Sequence, residues 1–98
     1  MLTQREVIQV MSRVTHPEID SSLLDLGMIK EVRVEQEAVR VTMNLPFAEV
    51  PIRDHLVQMV KDAIAEKDEG AEVEVSFAAM NEAQREEFRA KAWEKWKS

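Results

Sequence analysis

The sequence predicts a two-layer α/β domain of the α+β kind, ordered α-β-β-α-β around a three-stranded mixed sheet and followed by a C-terminal helix. Three observations predict it. Two stretches repeat their apolar residues at helical spacing, and a further one opens with a helix cap. Three stretches alternate apolar and polar residues, so each strand has one wet face and helices cover only the other. The second and third strands flank a helix, which makes them parallel neighbours joined by a right-handed crossover.

The first helix begins at Thr3, whose pairing with Glu6 has the spacing of a capping box. Val7, Ile8, Met11 and Val14 then recur on one face, placing the helix over about residues 3–14. Pro17 and the polar run "EIDSS" end it. In "LLDLG", three leucines precede Gly27, which can take up positive φ and anchor a turn. From Met28 the period becomes two. Val32 and Val34 alternate with Glu31, Arg33 and Glu35; Val39, Val41, Met43 and Leu45 alternate with Arg40, Thr42 and Asn44; "EQEA" joins the two runs as a hairpin. Pro51 suits the first position of a second helix, with Ile52, Leu56, Val60, Ala63 and Ile64 on one face as far as Lys67. After "KDEG", Val73, Val75 and Phe77 form the third strand, and Asn81 with Gln84 caps the last helix. The expected core comprises Val7, Ile8, Met11, Leu26, Val32, Val34, Val41, Met43, Leu56, Val60, Ile64, Val73 and Val75.

Composition then narrows the function. The chain of 98 residues carries a net charge of −6, and an acidic body repels nucleic-acid phosphates. The charge is uneven: Arg85, Arg89, Lys91, Lys95 and Lys97 outnumber Glu86, Glu87 and Glu94, so the last stretch is locally basic. No apolar run approaches the ~20 residues needed to cross a bilayer, and charges occupy the N-terminal "MLTQREVIQVM" where a signal peptide has its apolar core. The expected setting is cytoplasmic, with no membrane and no nucleic-acid partner. Cysteine is absent, which removes disulfides, thiolate catalysis, sulfur-ligated zinc and cysteine-ligated iron-sulfur clusters together.

"HPEIDSSLLDLGMIKEVRVEQEAVRVTMNL" followed by "VPIRDHL" resembles the iron-sulfur cluster assembly domain family also known as domain of unknown function fifty-nine, with SUF-associated, PaaD-like and Mrp N-terminal relatives. The resemblance covers about residues 5–80. It assigns residues 1–80 to an iron-sulfur assembly-like α/β domain and leaves 81–98 as an amphipathic helix packed on or extending it. Pro17 and Glu18 match the family's Asp-Pro-Glu turn with His16 in place of the aspartate, and Asp25, Leu26 and Gly27 match its acidic-Leu-Gly signature. In the family loop a threonine is followed, a few residues on, by Cys-Pro. Here Pro46 lies near the threonine position and Val50 at the cysteine. A cysteine ahead of the helix proline would gain thiolate character from the helix dipole. Valine neither ligates iron nor accepts a persulfide.

The resemblance implies a role in metal-sulfur cluster biosynthesis, and the missing thiol restricts it. The expected function is a non-catalytic accessory or adaptor in iron-sulfur cluster assembly or transfer that acts by protein binding, with no cofactor or metal of its own. Its partner would be an assembly scaffold, an Mrp-like ATPase or a recipient protein, and a homodimer is a further possibility. The alternative is a general interaction or dimerisation module that keeps the fold without cluster function. An enzyme built on His55 with Glu49 or Asp54 lacks a recognisable catalytic spacing.

The expected partner-binding residues are Glu18, Asp25, Phe47, Glu49, Val50, Arg53, Trp93 and Trp96. Phe47 is either a core plug or an exposed anchor. Asp25 either works as a carboxylate or accepts hydrogen bonds from amides of its turn. Trp93 and Trp96, the chain's two tryptophans, either extend the core or form a dimer or partner interface. His16 and His55, with Glu18, Glu49 and Asp54, would make a nitrogen and oxygen metal site only if their turns met; otherwise His16 is a turn residue and His55 a wet one.

Overall fold

The computed structural model describes residues 2–36, 38–47 and 50–97. Its elements are α1 (Gln4–Met11), β1 (Ile29–Glu35), β2 (Ala38–Leu45), α2 (Arg53–Lys67), β3 (Glu72–Ala79) and α3 (Glu82–Lys95). The sheet has the order β1-β2-β3, with β1 antiparallel and β3 parallel to β2. This is the mixed α+β arrangement that the sequence predicts.

Both end helices start at complete capping boxes. The Thr3 hydroxyl accepts from the Glu6 amide while Glu6 takes the Thr3 amide, each at 3.1 Å, and Asn81 and Gln84 exchange bonds of 2.8 and 2.9 Å. The first helix is shorter than its apolar pattern. Its end tightens through amides of Arg13 and Val14 bonded three residues back, and the Val14 carbonyl then accepts the Leu23 amide, so Val14 belongs to the turn region. That turn is closed by Gly27 at φ 76, where a side chain would be strained.

Across the sheet, Val34, Val39 and Val73 stand in one row and Val32, Val41 and Val75 in the next. Val32, Val39, Val41 and Met43 share one core with Val7, Val10 and Met11 of α1 and with Leu56, Val60 and Ile64 of α2. The alternate positions carry charge. Arg33 lies directly opposite Arg40, and the repulsion is relieved sideways: Arg40 pairs with Glu74 at 3.1 Å and Arg33 with Glu31 at 3.4 Å. Asn44 breaks the alternation, being 2% exposed, because its side-chain amide donates to Gln84 at the start of α3 (3.2 Å).

The core needs correcting in three places. Ile8 is 39% exposed and flanks the packed stripe of Val7, Val10 and Met11, one helical position away from it. Val34, Val73 and Val75 are half-buried, since they lie on the two outer strands of a small sheet. Leu2, Ile19, Leu23, Met28 and Met80 join the core from turns and strand flanks, where no long periodic pattern marks them, and Val10, Val14, Val39, Leu45 and Phe88 join it from the periodic faces themselves.

Candidate functional site

The loop from Leu45 to Arg53 delivers the chain to α2. Pro46 is buried and Val50 half-buried, while Phe47 is 52% exposed, so Phe47 is a surface ring rather than a core plug. Glu49 lies outside the described residues. Pro51 does not open the helix: the Arg53 amide donates to the Val50 carbonyl at 2.9 Å, forming a turn over Pro51 and Ile52, and α2 begins at Arg53. Ile52 provides no side-chain cap there. The Arg53 guanidinium sits 5.0 Å from the centre of the Phe77 ring, a cation–π arrangement at the outer strand that sequence spacing does not reveal.

A second group of predicted residues lies in the turn region beneath α3. Asp25 is exposed and accepts from the Ser21 hydroxyl at 2.7 Å, not from turn amides, and Lys91 of α3 donates to its backbone carbonyl at 2.7 Å. Glu18 contributes through its backbone: its carbonyl accepts the Lys97 amide at 3.0 Å, beside an isolated bridge between Ile19 and Trp96 and a bond from the Asp20 amide to the Lys95 carbonyl. The chain after α3 is thereby stitched to residues 18–20.

His16 is buried beside Glu18 and Lys97. Its Nδ1 accepts the Glu18 amide at 2.9 Å, and its carbonyl accepts from the Lys97 ammonium at 3.3 Å. Burial holds its pKa below the ordinary histidine value, Glu18 opposes that effect and Lys97 adds to it. His55 is exposed on α2. Among the described residues, no group of three or more His, Cys, Asp or Glu side chains is placed to hold a metal ion.

The structure unites three of the predicted residues. Phe47, Trp93 and Trp96 line one apolar groove of about 820 Å³ together with Phe88, Arg89 and Ala92. Phe88 and Ala92 take the packing role that the sequence also offers to the tryptophans, and Trp93 is left 89% exposed with Trp96 at 54%. Val50 and Arg53 mark the α2 entrance and do not line this groove. The helical spacing of Phe88, Ala92, Trp93 and Trp96 is the available signal for it; the contribution of Phe47 is not legible, because the loop and α3 are far apart in sequence.

A mixed three-stranded sheet with a loop-to-helix entrance after its central strand defines a domain class, and likeness to known proteins identifies it. Residues 4–77 match the family model described as iron-sulfur cluster assembly protein, and the chain belongs to that family. It is 33% identical over 86 residues to an iron-sulfur cluster carrier protein of Mycobacterium leprae (strain TN), covering 87% of this chain, and 32% identical over 79 residues to one of Synechocystis sp. (strain ATCC 27184 / PCC 6803 / Kazusa), covering 81%. It spans only 22% of the length of either. Among solved structures, it resembles a domain of unknown function, DUF59, from Bacillus anthracis, with a TM-score of 0.73 at 18% identity and 89% of each chain covered. It also resembles a Mycobacterium tuberculosis protein associated with Fe-S complex assembly and repair, with a TM-score of 0.57 at 21% identity, covering 86% of this chain and 81% of that one. These two likenesses support the fold.

The residues present do not fit a cluster held by this chain alone. There is no thiolate anywhere, Val50 stands at the loop position where the resemblance places cysteine, and the described carboxylates and imidazoles do not gather. Among the described residues, no helix is long and apolar enough to cross a membrane.

Proposed function

We propose that this protein is a non-catalytic adaptor of iron-sulfur cluster assembly or transfer, acting by contact with a scaffold, an Mrp-like ATPase or a recipient protein while the cluster stays on thiolates of the partner. The observation that carries this reading is a chain of a cluster-assembly family without a single cysteine. The names of the carrier-protein relatives support the pathway. The partner would meet the α2 entrance, where Val50 offers an apolar contact and Arg53, held against Phe77, offers a pre-positioned cation to a partner carboxylate. Glu18 and Asp25, on the turn region, offer opposite charge at a second point of contact.

Affinity purification of the full chain from its native cell, compared with Arg53→Glu, tests the reading. Cluster-assembly proteins should co-purify with the original protein and be depleted with Arg53→Glu, whose fold should be intact because the Arg53 side chain is about half exposed. Anaerobic incubation with iron and sulfide, followed by removal of unbound metal, should leave the purified chain without charge-transfer absorption. A stable brown holoprotein would overturn the proposal, and so would the absence of every cluster-assembly protein among those recovered.

A further inference from the structure

Among the described residues, Trp93, Trp96 and Phe47 are the three most exposed of the large apolar side chains, and all three border one groove. A fully exposed aromatic side chain offers roughly 150–250 Å², so the three together leave roughly 400 Å² of ring surface in water, at the scale of patches that are often functional. What covers this face is indicated by its shape. It holds both a projecting element and a receptacle: Trp93 forms one wall of the groove yet is 89% exposed, while Phe47, Phe88, Ala92 and Trp96 line the rest of the hollow. A surface that carries its own insert next to its own receptor is complementary to itself, which is what a two-fold contact requires.

We infer that α3 forms a self-association face, on which two copies of this chain pair about a two-fold axis with Trp93 of each seated in the groove of the other. A two-fold axis perpendicular to α3 near Ala92 and Trp93 would set the two helices antiparallel, with their dipoles opposed. Burying the rings from both copies removes roughly 800 Å² of apolar surface, and the rim brings the total past the ~1,000 Å² that a specific interface needs. From Arg85 onward cations outnumber carboxylates, so the two faces that meet are alike in sign and pair through their rings against a like-charge repulsion that salt screens. Arg89 borders the groove and comes within reach of the incoming indole as a cation–π partner. A foreign segment would fill the hollow but leave Trp93 to find a second pocket; a second copy satisfies both at once.

The inference concerns the chain alone and stands or falls independently of the adaptor role. Sedimentation velocity across the micromolar range, without iron, sulfide or other proteins, should show monomer passing into dimer as concentration rises. Intrinsic fluorescence should shift to the blue in parallel, because both tryptophans of the protein lie on this face. Trp93→Ala should weaken association by about tenfold or more, with an unchanged melting curve at concentrations where both proteins are monomeric, since the removed side chain is 89% exposed on its own fold. Added salt should strengthen the dimer by screening that like-charge repulsion, whereas an acidic partner docked on Arg89 would be weakened. A monomer at every concentration would overturn the inference, even if an acidic apolar peptide bound the groove. A dimer indifferent to Trp93→Ala would overturn it equally, by placing the interface elsewhere.

Discussion

At the scale of single residues, His16 shows how a family position is reused. The resemblance places an aspartate here, and the histidine substitutes for its acceptor oxygen, since Nδ1 accepts the Glu18 amide two residues on, as a carboxylate would. An imidazole does this only while neutral. Protonation puts a hydrogen on Nδ1 and turns the acceptor into a donor facing an amide. Burial already lowers the pKa in the folded state, so the unfolded chain takes up the proton first as pH falls. The stabilising contribution is therefore complete above the unfolded value of 6.5 and is lost as pH drops from there through the lower folded value. Thermal unfolding between about pH 7 and 5 should show a falling midpoint in the original protein and a flatter profile in His16→Asn. A profile of equal slope in both would remove His16 from the account.

At the scale of elements, what is legible in the sequence is what the chain decides locally. Thr3 with Glu6 and Asn81 with Gln84 announce their helices because a capping box closes within four residues. The strands are legible through alternation, which the pleat imposes whatever lies outside. Pro51 and Ile8 are less legible for a shared reason. Helix-start chemistry at Pro51 competes with a turn in which the Val50 carbonyl accepts the Arg53 amide, and the side of α1 that faces the sheet is settled by packing against β1 and α2. The corrected packing makes a paired prediction. Leu56, fully buried in the first turn of α2, should cost about 2–5 kcal/mol when cut to alanine. Ile8→Ala, at a site 39% exposed, should shift the denaturant midpoint by a small fraction of that amount. Comparable losses in the two variants would restore Ile8 to the core.

At the scale of the whole molecule, the groove illustrates what sequence could not supply. Phe47 is as visible in the sequence as Trp93 and Trp96, yet only the return of α3 past the end of β2 sets all three on one surface. That return is held unevenly. Met80 donates its amide to Leu45 and Asn44 donates to Gln84 at the start of α3; the Lys95, Trp96 and Lys97 backbone is bridged to residues 18–20 at its end; between them α3 buries a single side chain, Phe88. By contrast α2 buries Leu56, Val60 and Ile64, and β2 pairs on both edges. With one buried anchor, α3 has the least apolar area resisting local opening, so it should detach before the sheet unfolds. Native-state hydrogen exchange on dilute protein should give α3 amides a clearly lower opening free energy than those of β2, with α2 near β2. Raising the concentration should then protect α3 selectively, because pairing on its aromatic face adds the apolar burial that the helix lacks within one copy. Uniform exchange free energies across α3 and β2 would mean that the end bridges and Phe88 bind the last helix into a single cooperative unit.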